Sequence, residues 1–271
     1  MRRLLGLLVI VLFIMLFALV IASGGFGYEV PPSKVRELAR QFLVYAYNPF
    51  NTTFTVKSPE AVTSIVWDFR GLDTLFETLV FYLAIIGALS LYRGIESEKR
   101  AEISFLGLSP IVKTVTRITT GIIIAVAASI ALHGHLTPGG GFQGGATAAV
   151  APLLILIVFS KYFLENLGLR KNVLLALRSI GLLGIGVTAF SALIIGLVAN
   201  NPAYVFQNQP KPDAPIGLPA YIGDSLISGT LWFFNFFEMF AVAAGFTVIF
   251  LLLGIPEGEV LKQLREESEE H

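Results

Sequence analysis

Seven ionisable side chains lie inside or against long apolar runs: Asp73, Glu77, Arg117, His133, His135, Arg178 and Glu238. A charge within the hydrocarbon of a bilayer costs about 2.5–3.5 kcal/mol on insertion scales, so each must face protein or water. Counted from Ser225, Glu238 comes about thirteen residues into its run, roughly 20 Å at 1.5 Å per residue and near the bilayer middle. Two chemistries fit it. It is a carboxylate that takes up and passes on a proton or sodium ion, or a structural carboxylate hydrogen-bonded to a neighbouring helix, for example near Asn235. Glu77 carries the same pair of readings, with Arg70 or another subunit as a structural partner. Asp73 is four residues before Glu77, on the same helix face. It sits closer to the interface, where the helix dipole favours a carboxylate. Asp68 and Arg70 help fix the start of that helix.

His133 and His135 flank Gly134, and no third ligand is near enough to make a metal site. A histidine titrating near neutral pH can pass protons, or it can simply hydrogen-bond the turn. Arg117 and Arg178 are each about one and a half turns from a helix end. Both can snorkel to water or pair with a carboxylate in the membrane plane. The chain has no cysteine, which excludes cysteine-ligated iron–sulfur clusters, disulfides and thiol catalysis. No cofactor is implied for the chain itself. Nothing in it spaces a nucleophile beside a base or a metal triad, so it does not read as an enzyme.

The elements that position these groups are membrane helices. Of 271 residues, 55% are hydrophobic and 14% charged, and the mean hydropathy is +0.75. Soluble domains carry about 25% charged residues. The class is therefore an all-α membrane protein with about six transmembrane helices. They read as Leu4–Ala22 (longer than the core of a cleaved signal), Thr63–Tyr92, Ile111–Leu132, Ala146–Phe159 continuing to Phe163, Val173–Val198 and Ser225–Leu253. Val35–Tyr45 is an amphipathic helix at the membrane surface. Gly181, Gly184 and Gly186 allow close packing of the fifth helix. Asn51-Thr52-Thr53 is a weak sequon. The proline-rich Asn200–Asp224 is an extended loop ordered against a neighbour, and Glu257–His271 is a charged tail. The short loops Arg93–Arg100 and Lys161–Lys171 are rich in lysine and arginine, so both termini are placed in the cytoplasm. Zero net charge gives no reason to expect nucleic acid; the lipid bilayer is the first partner.

Between the third and fourth helices, His133–Thr147 holds six glycines and Pro138. Such a stretch turns rather than continuing a helix. It lacks the lysine of a phosphate loop and no strand precedes it. Gln143 is its one polar side chain within the glycine run and is expected to hydrogen-bond the turn's backbone. Gly134-His135-Leu136-Thr137-Pro138-Gly139-Gly140-Gly141-Phe142-Gln143-Gly144-Gly145 resembles the signature of the B subunit of multisubunit Mrp-type sodium/proton antiporters, over roughly Leu108 to Gly254. Asp68-Phe69-Arg70-Gly71-Leu72-Asp73-Thr74-Leu75, followed by Glu77, is similar to the C-terminal region of the A subunit, with Phe76 where a small residue is expected. The chain thus resembles a fusion, with residues 1–105 as the A-like module and 106–271 as the B-like module. The same modules occur in archaeal membrane-bound hydrogenases and sulfane-reducing complexes. The resemblance implies a non-catalytic subunit of a cation/proton antiporter module. Other Mrp-like membrane subunits would be its partners, with a redox arm carrying iron–sulfur clusters in other chains. A purely structural scaffold is the alternative.

Overall fold

The computed structural model describes residues 2–25, 35–51, 53–92, 108–255, 258, 260 and 261. The charged connector Glu96–Glu102, nearly all of the tail and Thr52 of the sequon lie outside them. The chain divides into two compact units, Met1–Gln41 and Phe42–His271. The first holds α1 (Arg2–Ala22), apolar from Gly6 to Ala22. It also holds the start of α2 (Glu37–Ala46), where Glu37 and Arg40 pair on the surface at 3.7 Å.

In the second unit, five helices are long and apolar enough to cross a membrane. They are α4 (Gly71–Leu91), α5 (Pro110–Leu132), α6 (Gly141–Val158), α8 (Lys171–Ala199) and α9 (Thr230–Leu253). The short helices α3 (Ala61–Ser64) and α7 (Lys161–Asn166) precede α4 and α8. With α1, these spans account for the six apolar runs. The hub is α9, packed on α6 and α8. Within this chain 50% of the α9 span is buried, against 17% for α4 and α5, which leaves those two with broad faces for lipid or other subunits.

Several boundaries differ from the sequence reading, each for a local reason. The run from Thr63 is not one helix. Glu60 caps α3 by accepting from the Thr63 backbone N–H, and α3 passes into a π-helical turn, Ile65–Phe69. The backbone breaks at Arg70 before α4 starts. The break buries Trp67, which stacks on Phe234 of α9 with ring centroids 4.4 Å apart. The fourth helix begins at Gly141, inside the glycine run, and stops at Val158; the Ser160 hydroxyl accepts from Phe163 N and starts α7 as a separate helix. The sixth begins at Thr230, because the preceding residues form a two-strand hairpin, β1 (Tyr221–Ile222) with β2 (Ser225–Leu226).

The loop after α8 is folded onto its own unit rather than extended. The chain leaves α8 through Asn200 in the left-handed conformation. Gln207 then gathers loop backbone, accepting from Tyr204 N at 2.8 Å and donating to Ala214 O at 2.7 Å. Asn208 bridges two distant segments, donating to Val56 O at 3.0 Å and accepting from Thr230 N at 2.8 Å. A core of Val56, Trp67, Ile185, Ala189, Leu231 and Phe234 closes this end of the bundle.

Candidate functional site around the start of α6

The glycine run is half turn and half helix. Gly139 and Gly140 have φ of +154° and +150°, backbone that side chains rarely adopt. They point the first N–H groups of α6 at α9. From Gly141 onward the glycines give close approach instead. A Cβ on Gly141 would lie 2.5 Å from Asn235 O and 2.6 Å from Glu238 Oε2. One on Gly145 would lie 2.7 Å from Met239 O and one on Gly144 2.6 Å from Ala131 Cβ. The start of α6 is thus wedged between α5 and α9, at spacings only glycine permits. On the other side of α9, Gly181 of α8 comes as close to Phe237 O and Ala241 N. Gly184 also meets Phe237, whereas Gly186 faces open space and does not serve packing within this chain.

The result is a buried carboxylate at a helix N-terminus. Glu238 is 5% exposed and Asn235 1%. Asn235 Oδ1 accepts from Gly141 N at 3.3 Å. The Glu238 carboxylate faces the Phe142 backbone N–H and the Trp67 indole N–H, with the Glu77 carboxylate near enough to act on it. The first free N–H groups of a helix carry partial positive charge, which suits an anion. Glu238 lies eight residues after Thr230, about 12 Å into α9. That is a third of the way along the helix, not at its middle, because the helix starts later than the apolar run. Glu77 lies six residues after Gly71 on α4 and is exposed in this chain. The two helices run side by side in the same sense, since Gly245 of α9 meets Phe81 and Ile85 of α4.

The other charged groups separate into surface and core. Asp73 is exposed and pairs with Arg70, its Oδ2 2.7 Å from Arg70 Nε and 2.5 Å from Nη2. Arg70 is therefore committed to Asp73. Arg117 is exposed, its guanidinium over the Phe159 ring at 5.7 Å. Arg178 does not snorkel: it is 3% exposed, with its guanidinium 3.9 Å over the Tyr82 ring. Its Nε and Nη1 have no hydrogen-bond partner among the described residues. His133 is exposed, Nδ1 3.0 Å from Ser129 O. His135 is buried, with Nε2 2.8 Å from Leu226 O. Burial pulls its pKa below 6.5 against the hydrogen bond to Leu226, so it is neutral at pH 7. Gln143 is exposed and lies over Gly140, its Oε1 2.9 Å from where a Cβ would be.

Residues 55–64 staple the turn through its carbonyls. Ser58 Oγ donates to His135 O at 2.7 Å, Glu60 N to the same oxygen at 3.2 Å, and Thr63 Oγ1 to Gly134 O at 2.6 Å. Nearby, burial raises the Asp68 carboxyl from 3.8 to about 6, against the Lys211 ammonium and the Asn208 backbone N–H, which pull it down. Trp67 was not among the residues that sequence reasoning singled out. Its one signal is its place directly before the Asp68-Phe69-Arg70 run.

Five long apolar helices around a glycine-wedged helix start define a multi-pass helical membrane protein. The domain related to the MnhB subunit of Na+/H+ antiporter matches residues 111–248, just over half of the 271 residues, and the chain belongs to that family. The uncharacterized protein MJ1307 of Methanocaldococcus jannaschii is 32% identical over 156 residues, 51% of this chain and 58% of that protein. The chain thus spans somewhat more than half the length of that relative. Among solved structures, a chain of the membrane-bound sulfane sulfur reductase, an archaeal respiratory membrane complex, matches with a TM-score of 0.60 at 24% identity, covering 94% of this chain and 99% of that one. A chain of the Mrp complex from Dietzia sp. DQ12-45-1b matches with a TM-score of 0.56 at 19% identity, covering 93% of this chain and 26% of that one. At these identities the likeness is one of fold. The protein is a multi-pass membrane protein of the MnhB-related family.

Proposed function

We propose that the chain is a non-catalytic subunit of an Mrp-type cation/proton antiporter module within an archaeal respiratory complex, and that Glu238 and Glu77 lie on its ion path. One observation carries this reading: a membrane carboxylate lies at the start of α6, where Gly141, Gly144 and Gly145 let that helix close on α5 and α9, with a second carboxylate beside it on a face open to other subunits. Residues 1–105 act as the subunit-A-like part, a reading supported by fold likeness reaching well beyond residues 111–248. Other Mrp-like membrane subunits cover the open faces of α4 and α5. The iron–sulfur redox arm belongs to other chains, and both termini face the cytoplasm.

The test is sodium-dependent transport by the reconstituted complex carrying Glu77→Ala or Glu238→Ala, at matched assembly. Transport falls in both if the reading holds; unchanged transport in both removes it. A second reading has its own observation. Glu238 and Asn235 satisfy N–H groups at the start of α6, which a scaffold would need as well. In that case Glu238→Ala loses assembly, and the complex that does assemble transports normally.

A further inference from the structure

Apart from the Glu77 carboxylate on α4, the groups placed around Glu238 are hydrogen-bond donors or nitrogens. The carboxylate faces the Phe142 backbone N–H and the Trp67 indole N–H. Asn235 spends its amide oxygen on Gly141 N–H, which leaves Nδ2 facing Gly134, 2.9 Å from where a Cβ there would be. The Nδ2 atom is buried and unpartnered among the described residues. The carbonyls of Gly134 and His135 already accept from Thr63, Ser58 and Glu60. Farther out, His135 donates through Nε2 to Leu226 O, so its buried Nδ1 is a bare acceptor. Thr230 Oγ1 is buried without a partner among the described residues as well. On α8, beside Tyr82, Nε and Nη1 of Arg178 are also buried without a partner among the described residues.

We infer that Glu238 exchanges a proton with ordered water held by Asn235, His135 and Thr230, and is not a sodium ligand. The inference rests on the reading that Glu238 lies on the ion path and assigns its cargo. Hard cations take carboxylate, carbonyl and water oxygens. In transporters sodium sits against unwound carbonyls and helix C-terminal ends, while helix N-termini face anions. The site here has the second polarity. Buried polar atoms without protein partners are satisfied by ordered water. In the exchange the carboxylic O–H of Glu238 breaks, its proton forms an O–H bond on a water, and the electron pair stays on the carboxylate. The reverse step reloads it. The charged and titratable groups nearest the site are Glu77 on α4, Arg178 on α8 and His135 in the turn.

Infrared difference spectra of the whole complex in lipid, recorded after pH steps, test the assignment. The Glu238 carboxyl band is identified by its loss in Glu238→Gln. If that variant does not assemble, it is identified by its frequency change in Glu238→Asp; Glu77→Gln removes the neighbouring band. The expected result is a band that titrates with pH and is the same in sodium chloride as in potassium chloride at each pH. A band abolished by sodium at fixed pH overturns the inference while leaving Glu238 on the ion path. A band that never changes with pH also overturns it. Failure of the underlying reading shows separately, as wild-type transport in Glu238→Gln.

Discussion

Gly141→Ala is the sharpest perturbation of this architecture. A methyl at Gly141 would sit 2.5 Å from Asn235 O, 2.6 Å from Glu238 Cβ and 2.6 Å from Glu238 Oε2. Two of these three atoms cannot swing away, because one is helix backbone and the other is a Cβ. The start of α6 must back off α9, loosening the Gly141–Asn235 hydrogen bond of 3.3 Å and the Phe142 N–H that faces Glu238. Overpacking costs about 1–3 kcal/mol, and a lost hydrogen bond to a charged group adds about 1.5–3 kcal/mol. The expected loss is therefore about 2.5–6 kcal/mol against the wild-type subunit. The assay is thermal denaturation of the purified complex, with Gly121→Ala as the control. Nothing lies within 4 Å of a Cβ at Gly121, and alanine is the better helix former by about 1 kcal/mol. Gly121→Ala is expected to be neutral or stabilising and Gly141→Ala to lower the melting temperature and transport together. A Gly141→Ala complex that melts with the control would refute the wedge.

Three further outcomes follow from the same contacts. Asp68 binds its proton more tightly folded than unfolded, so its ionisation removes stability as pH rises from 3.8 to about 6 and adds no further change above that; Asp68→Asn should therefore melt higher at pH 7.5 by on the order of 1–3 kcal/mol, discounted for partial exposure, with the gain vanishing near pH 4 in a melting-temperature series. His135 is shifted the other way, so its contribution is complete above pH 6.5 and declines as pH falls below it; His135→Ala should cost about 1–3 kcal/mol at pH 7.5, by thermal melting, through the lost bond to Leu226. Tyr82→Leu should cost about 1–2 kcal/mol by removing the ring beneath the Arg178 guanidinium, and an unchanged melt would show that the 3.9 Å stack contributes nothing.

What could be read from the sequence was set by length and composition. The apolar runs became helices because in lipid only a helix satisfies its own backbone. Glu238 and Glu77 stood out because charge is scarce there. What could not be read was decided by tertiary contact. Glycine propensity argued that 139–145 should all be turn, yet Gly141, Gly144 and Gly145 are helical because only glycine admits α5 and α9 at that spacing. The depth of Glu238 was overestimated because Ser225 and Leu226 are apolar enough to extend the run but pair as a strand instead. For Arg178 the sequence left snorkelling or a carboxylate partner open, and neither pointed to its ring partner Tyr82, distant in sequence and on another helix. Trp67 meets Glu238 across 171 positions (238 minus 67), through a π-helical turn that no local pattern announces.

Proton flux into liposomes bearing the assembled complex, wild type beside Glu238→Gln at equal subunit content, measures the main proposition head-on. Gln keeps the size and a hydrogen-bonding oxygen for the α6 N-terminus but cannot carry a proton. The account expects an intact complex whose flux falls at least tenfold, about 1.4 kcal/mol of barrier. Undiminished flux from an intact Glu238→Gln complex would contradict it.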